Sequence, residues 1–396
     1  MCLAQVIGML GVFAFPALLP HFRTAWALST VEAGWINGIY FAGYTLAVPL
    51  LTGITDRIDA RGVYFTGCLV GIFANIGFAL VADGFWWALL FRALSGLGLA
   101  GTFVPGLKAL IDRLQTPVHQ RAISFYTACF GLGMSVSFYC AGALFELWNG
   151  AFVFEVAALG SAVALLVALM VLRPKPVPSR EHLRPLVHMP DFRPVWRNRS
   201  GRIYILAYAC HMWEMSAARS WLVAFLTFSI SRQSLMEGHT APTTVMAVAG
   251  VGGMVASIVG GELAIKYGRR KFVISMMVIS CLLAFTIGFC AHLPYAFVIV
   301  VCFVYTLFFQ GDSAAIHGGV IASAEPDRRG ATMALQSFGG FAAASMGSVV
   351  AGWVLDASGG GTTTLSWGLT FASLGLVAAL GPLGLLRLEG HFDHVE

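Results

Sequence analysis

Long apolar stretches alternate with short polar connections along the whole chain, and the apolar stretches have the length of membrane-spanning helices. A helix needs about 20 mostly apolar residues to cross the hydrocarbon core of a bilayer. Charged residues or clusters of Gly and Pro mark the ends of these stretches. Twelve spans are predicted, numbered here in chain order, at residues 2–20, 33–53, 63–82, 85–110, 121–145, 151–172, 202–227, 242–264, 272–291, 294–320, 331–355 and 365–387.

One long polar stretch interrupts this series after span 6. Residues 173–202 contain eight Lys and Arg, two acidic residues and six prolines. Such a composition is extended and solvated, and it cannot cross a membrane. The chain is therefore predicted to consist of an N-terminal six-helix half at 1–172, a cytoplasmic linker at 173–201 and a C-terminal six-helix half at 202–396. The basic linker either serves topology alone or also binds a specific lipid or partner.

The composition agrees with a polytopic helical membrane protein and excludes other classes. Of the 396 residues, 58% are hydrophobic and only 11% are charged, whereas about a quarter are charged in soluble domains, so a soluble enzyme is excluded. The net charge of +5 is not gathered into a basic patch with aromatic residues, and we expect no nucleic-acid partner. The eight cysteines lie in or beside apolar runs without a Cys-x-x-Cys motif, which predicts free thiols and neither a metal nor a cofactor. The first apolar run lacks a basic segment before it, so it is interpreted as a span and not as a cleaved signal peptide.

Lysine and arginine residues are distributed unevenly between the two sides of the predicted spans. Of the 24 Lys and Arg residues, 19 lie in even-numbered connections, in the linker or after span 12, whereas the odd-numbered connections hold only Arg23 and Arg232. The positive-inside rule therefore predicts that both termini are cytoplasmic. We expect a monomer in a plasma membrane, such as a bacterial inner membrane.

Landmarks of the first half recur in the second half at a nearly constant offset. Such parallel repeats are typical of transporters that rock one half against the other around a site near the bilayer midplane. The aligned segments are 52–61 with 261–270, 119–131 with 327–339, and 142–146 with 352–356, at offsets of 209, 208 and 210.

Several of these segments resemble motifs of the major facilitator superfamily of secondary transporters. Residues 261–270 (GELAIKYGRR) are similar to the family's cytoplasmic loop G-x-L-A-D-K-x-G-R-R, with Ile265 where the family usually has Asp. Residues 92–101 resemble its span 4 motif, and residues 326–330 resemble its loop between spans 10 and 11. The resemblance covers essentially the whole chain. It implies an all-α fold with 12 transmembrane helices in two pseudo-symmetric six-helix bundles that works by alternating access.

The resemblance also implies a set of charges that lock the cytoplasmic helix ends and break as the halves rock. In the first half the match is weaker, because Thr52 and Asp59 replace the usual glycines. An alternative interpretation is that these charges only set the topology. The predicted gating residues are Asp56, Arg57, Arg61, Lys266, Arg269, Arg270, Arg328 and Arg329.

Ionisable residues inside the spans are candidates for function because each costs about 2.5–3.5 kcal/mol to insert. His211 and Glu214 are three residues apart on one face of span 7, so a hydrogen-bonded pair that relays protons is predicted. The alternative is a pair that is satisfied internally and has no role in transport. Asp312 in span 10 is the third candidate for proton coupling.

The cations inside the spans favour an anionic substrate. Arg92 in span 4 and Arg219 in span 7 lie at similar predicted depth and could clamp an anion through their forked guanidinium groups. Alternatively each pairs with a carboxylate such as Glu146 or Glu155, or extends to the membrane surface. Lys108 is interpreted as a cytoplasmic gate charge or as a residue that snorkels to the interface.

Span 2 carries a stripe of polar and aromatic residues, Asn37, Tyr40 and Tyr44, on one helix face. The stripe is predicted to line the substrate pathway, with aromatic packing as the alternative. Gln310 in span 10 is a further candidate for substrate binding.

The leading functional hypothesis is therefore a secondary active transporter of a small anionic solute, coupled to protons by symport. A proton-driven exporter of drugs or metabolites is the alternative. The glycine-rich run in span 5 (GLGMSVSFYCAG, 131–142) lacks the Gly-Pro of the family's antiporters, which weighs against export. A receptor or scaffold without transport should lose the gate charges or gain a soluble domain, and this chain does neither.

Overall fold

In the part of the chain that the structure describes, helices form twelve segments that correspond to the twelve predicted spans. A computed structural model describes residues 1–55, 57–115, 118–175, 192–233 and 239–388, and within these ranges there is no β-strand. In the first half, span 1 consists of Cys2–Gly8, Ala14–Ala17 and Leu19–Ala25, and spans 2 to 6 are Thr30–Ile54, Ala60–Val81, Phe85–Ile111, His119–Leu147 and Gly150–Val171. In the second half, spans 7 to 12 are Arg199–Ser231, Pro242–Tyr267, Arg269–Ile287, Tyr295–Gly311 with Ser313–Ser323, Arg329–Ala357, and Thr364–Ala378 with Leu380–Leu386.

Helix length and hydropathy support a multi-pass membrane protein. Among the described residues, nine helical segments are long and apolar enough to cross a bilayer, and they correspond to spans 3 to 6 and 8 to 12. Span 1 is divided into short helices. Span 7 is long enough but contains buried His211, Glu214 and Arg219, which lower its hydropathy.

By internal contacts the chain divides into two units. Unit 1 comprises residues 1–28 and 39–189, and unit 2 comprises residues 29–38 and 190–396. The predicted linker at 173–201 lies largely outside the described residues, so the predicted boundaries between the halves remain predictions.

Close helix packing in unit 1 depends on small residues. A side chain on Gly67 of span 3 would meet the backbone of Gly101 in span 4 at 2.7 Å. Without a Cβ the two helices approach backbone to backbone, as is common between membrane helices. At the other end of span 3, the Phe78 ring stacks on Phe154 of span 6 with centroids 3.8 Å apart. The close approach of Gly67 and Gly101 thus holds span 4, which carries Arg92, against span 3.

Spans 7 and 11 pack closely in unit 2. A side chain on Gly347 would lie 2.6 Å from the carbonyl oxygen of Trp213. The indole nitrogen of Trp221, which is fully buried, donates a hydrogen bond to the carbonyl of Ser348. Span 7 is thereby held along its length, and this positions the ionisable groups that it carries.

Candidate functional site

Span 1 was predicted at 2–20, and in the structure its helix is interrupted between Gly8 and Ala14. Pro16 has no N–H and so cannot bond to the carbonyl of Val12, four residues earlier. A carbonyl in the hydrocarbon region that lacks its helical partner needs another donor. The interruption therefore requires side chains from neighbouring helices.

Arg92 supplies two of these donors. Its Nη1 and Nη2 atoms donate to the carbonyls of Gly11 and Val12, each at 2.9 Å. Ser137 of span 5 completes the arrangement, since its hydroxyl donates to the carbonyl of Leu10 at 2.7 Å and accepts from the N–H of Phe13. The structure thus gives Arg92 backbone partners in place of the carboxylates Glu146 and Glu155 considered from the sequence.

The guanidinium of Arg92 also contacts the predicted polar stripe of span 2. It lies over the ring of Tyr40 at 4.3 Å from the centroid, and both side chains are 2% exposed. Tyr44 is buried as well, and so is Asn37, whose two side-chain polar atoms have no hydrogen-bond partner within the described ranges. Tyr40 and Arg92 are therefore brought together, whereas the role of the stripe as a pathway wall remains a prediction.

In unit 2 a buried carboxylate is held by two hydroxyl groups. Oε1 of Glu214 accepts hydrogen bonds from Oγ of Ser280 at 2.7 Å and from the hydroxyl of Tyr305 at 3.0 Å. No sequence pattern pointed to Ser280 or Tyr305, because each becomes a partner only when spans 9 and 10 pack against span 7. Both hydroxyls are neutral donors, so among the described contacts no cation donates a hydrogen bond to the Glu214 carboxylate.

The predicted partner of His211 is corrected by the structure. Nδ1 of His211 lies 2.8 Å from Oδ1 of Asp312, and the two side chains are 1% and 2% exposed. The close pair thus joins span 7 to span 10 and does not join His211 to Glu214 along span 7. Glu214 is still within electrostatic reach of both groups. The three residues predicted to couple protons therefore form one buried cluster.

Arg219 and Gln310, two predicted substrate-binding residues, are in direct contact. Nη2 of Arg219 donates to Oε1 of Gln310 at 2.8 Å, and Arg219 is 7% exposed. Arg219 belongs to unit 2 and Arg92 belongs to unit 1. The predicted two-arginine clamp on an anion remains untested. Lys108 forms an ion pair with Asp112 one helical turn away, at 3.1 Å.

Asp59, at the start of span 3 in unit 1, is the centre of a group of hydrogen bonds, whereas the sequence analysis noted it only as a departure from the family motif. Arg113 donates to both carboxylate oxygens of Asp59, at 2.8 and 2.6 Å, and the backbone N–H groups of Arg61 and Lys175 also donate to it. Partial burial acts to raise the pKa of Asp59, but these hydrogen bonds outweigh burial and lower it below its usual value. One sequence feature could have identified Asp59 as a structural residue. It directly precedes a helix, and Asp is among the preferred residues at this N-cap position.

Arg61 and Arg270, predicted as gating residues, have equivalent roles in the two units. Nη1 of Arg61 donates to the carbonyl of Leu172 at the end of span 6. Arg270 donates to the carbonyls of Leu385 and Leu386 at the end of span 12, at 2.9 and 3.0 Å. Both arginines thus satisfy carbonyls that a helix end leaves without partners. These contacts lie within one unit each, and the predicted role in gating remains a prediction.

The other predicted gating residues have varied surroundings. Arg269 packs against Gly318, Lys266 lies over the ring of Tyr267, and Arg328 pairs with Glu325 at 3.1 Å on the surface. Arg329 begins the helix of span 11. Arg57 is not without a partner, and Asp56 lies outside the described residues.

Comparison with known proteins agrees with this architecture. The chain is 26% identical over 355 residues to the uncharacterized MFS-type transporter YceJ of Bacillus subtilis, covering 89% of this chain and 87% of that protein. It is 31% identical over 127 residues to the niacin transporter NiaP of Acinetobacter baylyi, covering 32% and 28% of the two chains.

The fold is also found among solved transporter structures. The crystal structure of the nucleoside transporter NupG superposes with a TM-score of 0.75 over 98% of each chain, at 15% sequence identity. This similarity concerns the fold alone. The family model for the Major Facilitator Superfamily matches residues 1–311. The chain therefore belongs to the Major Facilitator Superfamily of membrane transporters.

Proposed function

We propose that the chain is a proton-coupled secondary active transporter of a small organic anion. The buried His211–Asp312 pair carries this proposal, because an imidazole and a carboxylate 2.8 Å apart can exist as a neutral pair or as an ion pair. Removing either charge alone leaves the other buried and unpaired, which is costly. A proton added to the cluster therefore changes its preferred partners, as coupling requires.

Glu214 supplies a second buried acid beside the pair. Its hydroxyl partners Ser280 and Tyr305 can donate to the carboxylate, and either hydroxyl can accept a hydrogen bond from the protonated acid. The site thus tolerates both protonation states without leaving a buried group unpaired. This supports Glu214 as the group whose protonation changes during the transport cycle.

Arg219 is the proposed contact for the anion. It donates to the neutral side chain of Gln310, and the planar fork of a guanidinium suits carboxylates. Similarity to the niacin transporter NiaP supports a small organic anion, since niacin is a pyridine carboxylate. Arg92 acts on the pathway through Tyr40 and through the interrupted span 1.

The proposal extends to topology and organisation. Both termini are cytoplasmic, and the protein is a monomer with halves at 1–172 and 202–396. The distribution of Lys and Arg supports the orientation. The bacterial relatives support an inner membrane. Alternating access breaks the cytoplasmic charge contacts in each cycle.

The test uses full-length protein in liposomes that contain a pH-sensitive dye. Nicotinate, uridine and ethidium serve as anionic, neutral and cationic probes, and protein-free liposomes correct for passive diffusion. Nicotinate or a related aromatic carboxylate is expected to drive proton movement in the wild type. Glu214→Gln, which keeps both hydroxyl contacts, is expected to abolish that proton movement but to retain exchange of labelled solute. The direction of net flux under an imposed pH gradient distinguishes uptake from export.

The matched control is Glu155→Gln, which removes an exposed carboxylate of unit 1 and should leave proton movement unchanged. Full proton movement by Glu214→Gln would refute the role of Glu214. Proton movement with uridine or ethidium but with no carboxylate would refute an anionic substrate.

Arg219→Ala is expected to weaken nicotinate binding by about tenfold or more, because one hydrogen bond to a charged group contributes about 1.5 kcal/mol or more. A thermal shift of the purified protein against nicotinate concentration measures this. Unchanged affinity would remove Arg219 from the substrate site.

A further inference from the structure

A second imidazole lies close to the proton-coupling cluster and has no role in the function proposed so far. His317 is in span 10, five residues beyond Asp312 in the chain. It is within electrostatic reach of His211. The ring of Tyr208 contacts both histidines, with centroids 4.7 Å from His317 and 6.1 Å from His211.

The exposure of the two histidines differs. The side chain of His211 is 1% exposed and that of Asp312 is 2% exposed, whereas His317 is exposed. A proton that moves between bulk water and the buried pair needs an intermediate group, since the pair itself has almost no contact with solvent. His317 is the imidazole in this part of unit 2 that has both solvent contact and proximity to the pair.

Gln336 of span 11 holds the His317 ring in a defined position. Nε2 of Gln336 lies 2.7 Å from Nδ1 of His317, and Gln336 is 2% exposed. An amide nitrogen only donates, so Nδ1 accepts and the neutral ring carries its proton on Nε2. Rotation of the amide would present its oxygen to a protonated Nδ1. Gln336 can therefore hold the ring in both protonation states.

Other titratable groups surround this set and define its electrostatics. The guanidinium of Arg269 packs against Gly318, next to His317 in the chain. Arg219 is bound to Gln310 on the side of the cluster away from His317. The remaining titratable neighbours of the cluster within the described part of unit 2 are Glu214, Cys210, Cys281, Tyr208 and Tyr305.

We propose that His317 passes protons between solvent and the buried His211–Asp312 pair, with Gln336 as its positioning residue. The proposal rests on the proposed function, because it assumes that the pair takes up the coupling proton. One proton leaves the His317 imidazolium and is gained by the Asp312 carboxylate through the His211 ring. Water on the solvent side then restores the proton on His317, so the step needs no electron and no other reactant.

The test requires no transported solute. Full-length protein in liposomes receives a light-triggered pH drop from a caged proton, and time-resolved infrared spectroscopy follows the carbonyl stretch of protonated carboxylic acid. Loss of this band in Asp312→Asn, together with its retention in Glu214→Gln, assigns it to Asp312. His317→Gln is expected to slow the appearance of the band by about tenfold or more, as removal of a proton-transfer group does. Imidazole in the buffer is expected to restore the rate.

The matched control is His292→Gln, which removes an exposed histidine of the same unit that ends the turn Gly288–His292. Gln336→Leu provides a second variant, which keeps the His317 ring but removes its hydrogen bond. The band should appear more slowly than in the wild type but faster than in His317→Gln. Three results would each overturn the proposal. The band could appear at the same rate in the wild type and in His317→Gln, or imidazole could fail to restore the rate in His317→Gln. The wild type could also show no carboxylic acid band. A band that depends on His317 without solute-driven proton flux would uphold the inference and refute the proposed function.

Discussion

Arg92 shows how a buried cation can be accommodated without a carboxylate. Its two terminal nitrogens bond to carbonyls that the interruption of span 1 leaves without helical partners, and its face lies on Tyr40. A guanidinium suits this position because it is planar and presents parallel N–H donors, whereas an ammonium is a compact point charge. Its contacts are therefore structural whether or not it also contacts substrate.

Arg92→Lys is expected to lower the free energy of unfolding by about 2 kcal/mol or more, because at least one bond from a charged donor to a buried carbonyl is lost. The melting temperature of the purified protein without substrate measures this loss. Arg232→Lys, at an exposed position, is the control and should leave the melting temperature unchanged. An unchanged melting temperature for Arg92→Lys would show that the carbonyl contacts contribute nothing to stability.

Asp59 makes stability depend on pH. Its pKa is lower in the folded state than in the unfolded state, so its contribution is fully present above the ordinary Asp pKa of about 4. That contribution is lost as the pH falls through the folded-state pKa. Asp59→Asn is expected to melt at a lower temperature than the wild type at neutral pH, and the difference should shrink in acid below about pH 4. Thermal melts over this range test the prediction, with exposed Asp83→Asn as control. A difference that grows in acid would contradict it.

Among the elements, span 11 determines where the aromatic face of span 7 lies. A Cβ on Gly340 would overlap the ring of Tyr208, whereas the space beside the adjacent Gly339 is open. The Tyr208 ring contacts both His211 and His317. The absence of a side chain at Gly340 therefore leaves room for the Tyr208 ring that contacts both histidines.

Gly340→Ala is expected to destabilise the protein by about 1–3 kcal/mol, because insertion of a methyl group into a packed interface displaces the ring. Gly339→Ala meets no neighbour and removes the helix-propensity penalty of glycine, which is about 1 kcal/mol, so it should be neutral or stabilising. Melting temperatures of the two variants give the comparison. Equal shifts would contradict the proposed contact with Tyr208.

At the scale of the whole molecule, the internal repeat places the same interaction in both units. Arg61 and Arg270 are 209 residues apart, the offset found in the sequence, and each bonds to the last carbonyls of the final helix of its half. Other features differ between the units. Both carboxylates that are buried among the described residues, Glu214 and Asp312, belong to unit 2. The repeat thus preserves the scaffold, whereas the proposed proton chemistry is confined to one half.

Arg61→Gln and Arg270→Gln should each lower the free energy of unfolding by about 1–3 kcal/mol, because each leaves helix-end carbonyls without a charged donor. Since the two residues share no partner, the double variant should equal the sum of the single variants within about 0.5 kcal/mol. Thermal or denaturant unfolding of the four proteins tests this. Arg328→Gln, which removes a surface ion pair with both partners more than 40% exposed, is the control and should have little effect. A strong departure from additivity would show that the two caps are coupled.

The sequence by itself determined the number of spans, the repeat and which residues carry buried charge, because apolar run length, charge position and motif spacing are properties of the chain order. It also placed His211, Glu214 and Asp312 inside the membrane. Only the tertiary structure decided their partners: the His211 ring lies beside Asp312 of span 10, Glu214 accepts from hydroxyls of spans 9 and 10, and Arg92 donates to carbonyls of span 1. Helical spacing identifies neighbours along one helix, whereas partners on other helices depend on how those helices pack and rotate. The interruption of span 1 depends on tertiary contacts for the same reason. Pro16 removes one helical hydrogen bond locally, but Arg92 and Ser137, which donate to carbonyls of the interrupted segment, come from distant parts of the chain.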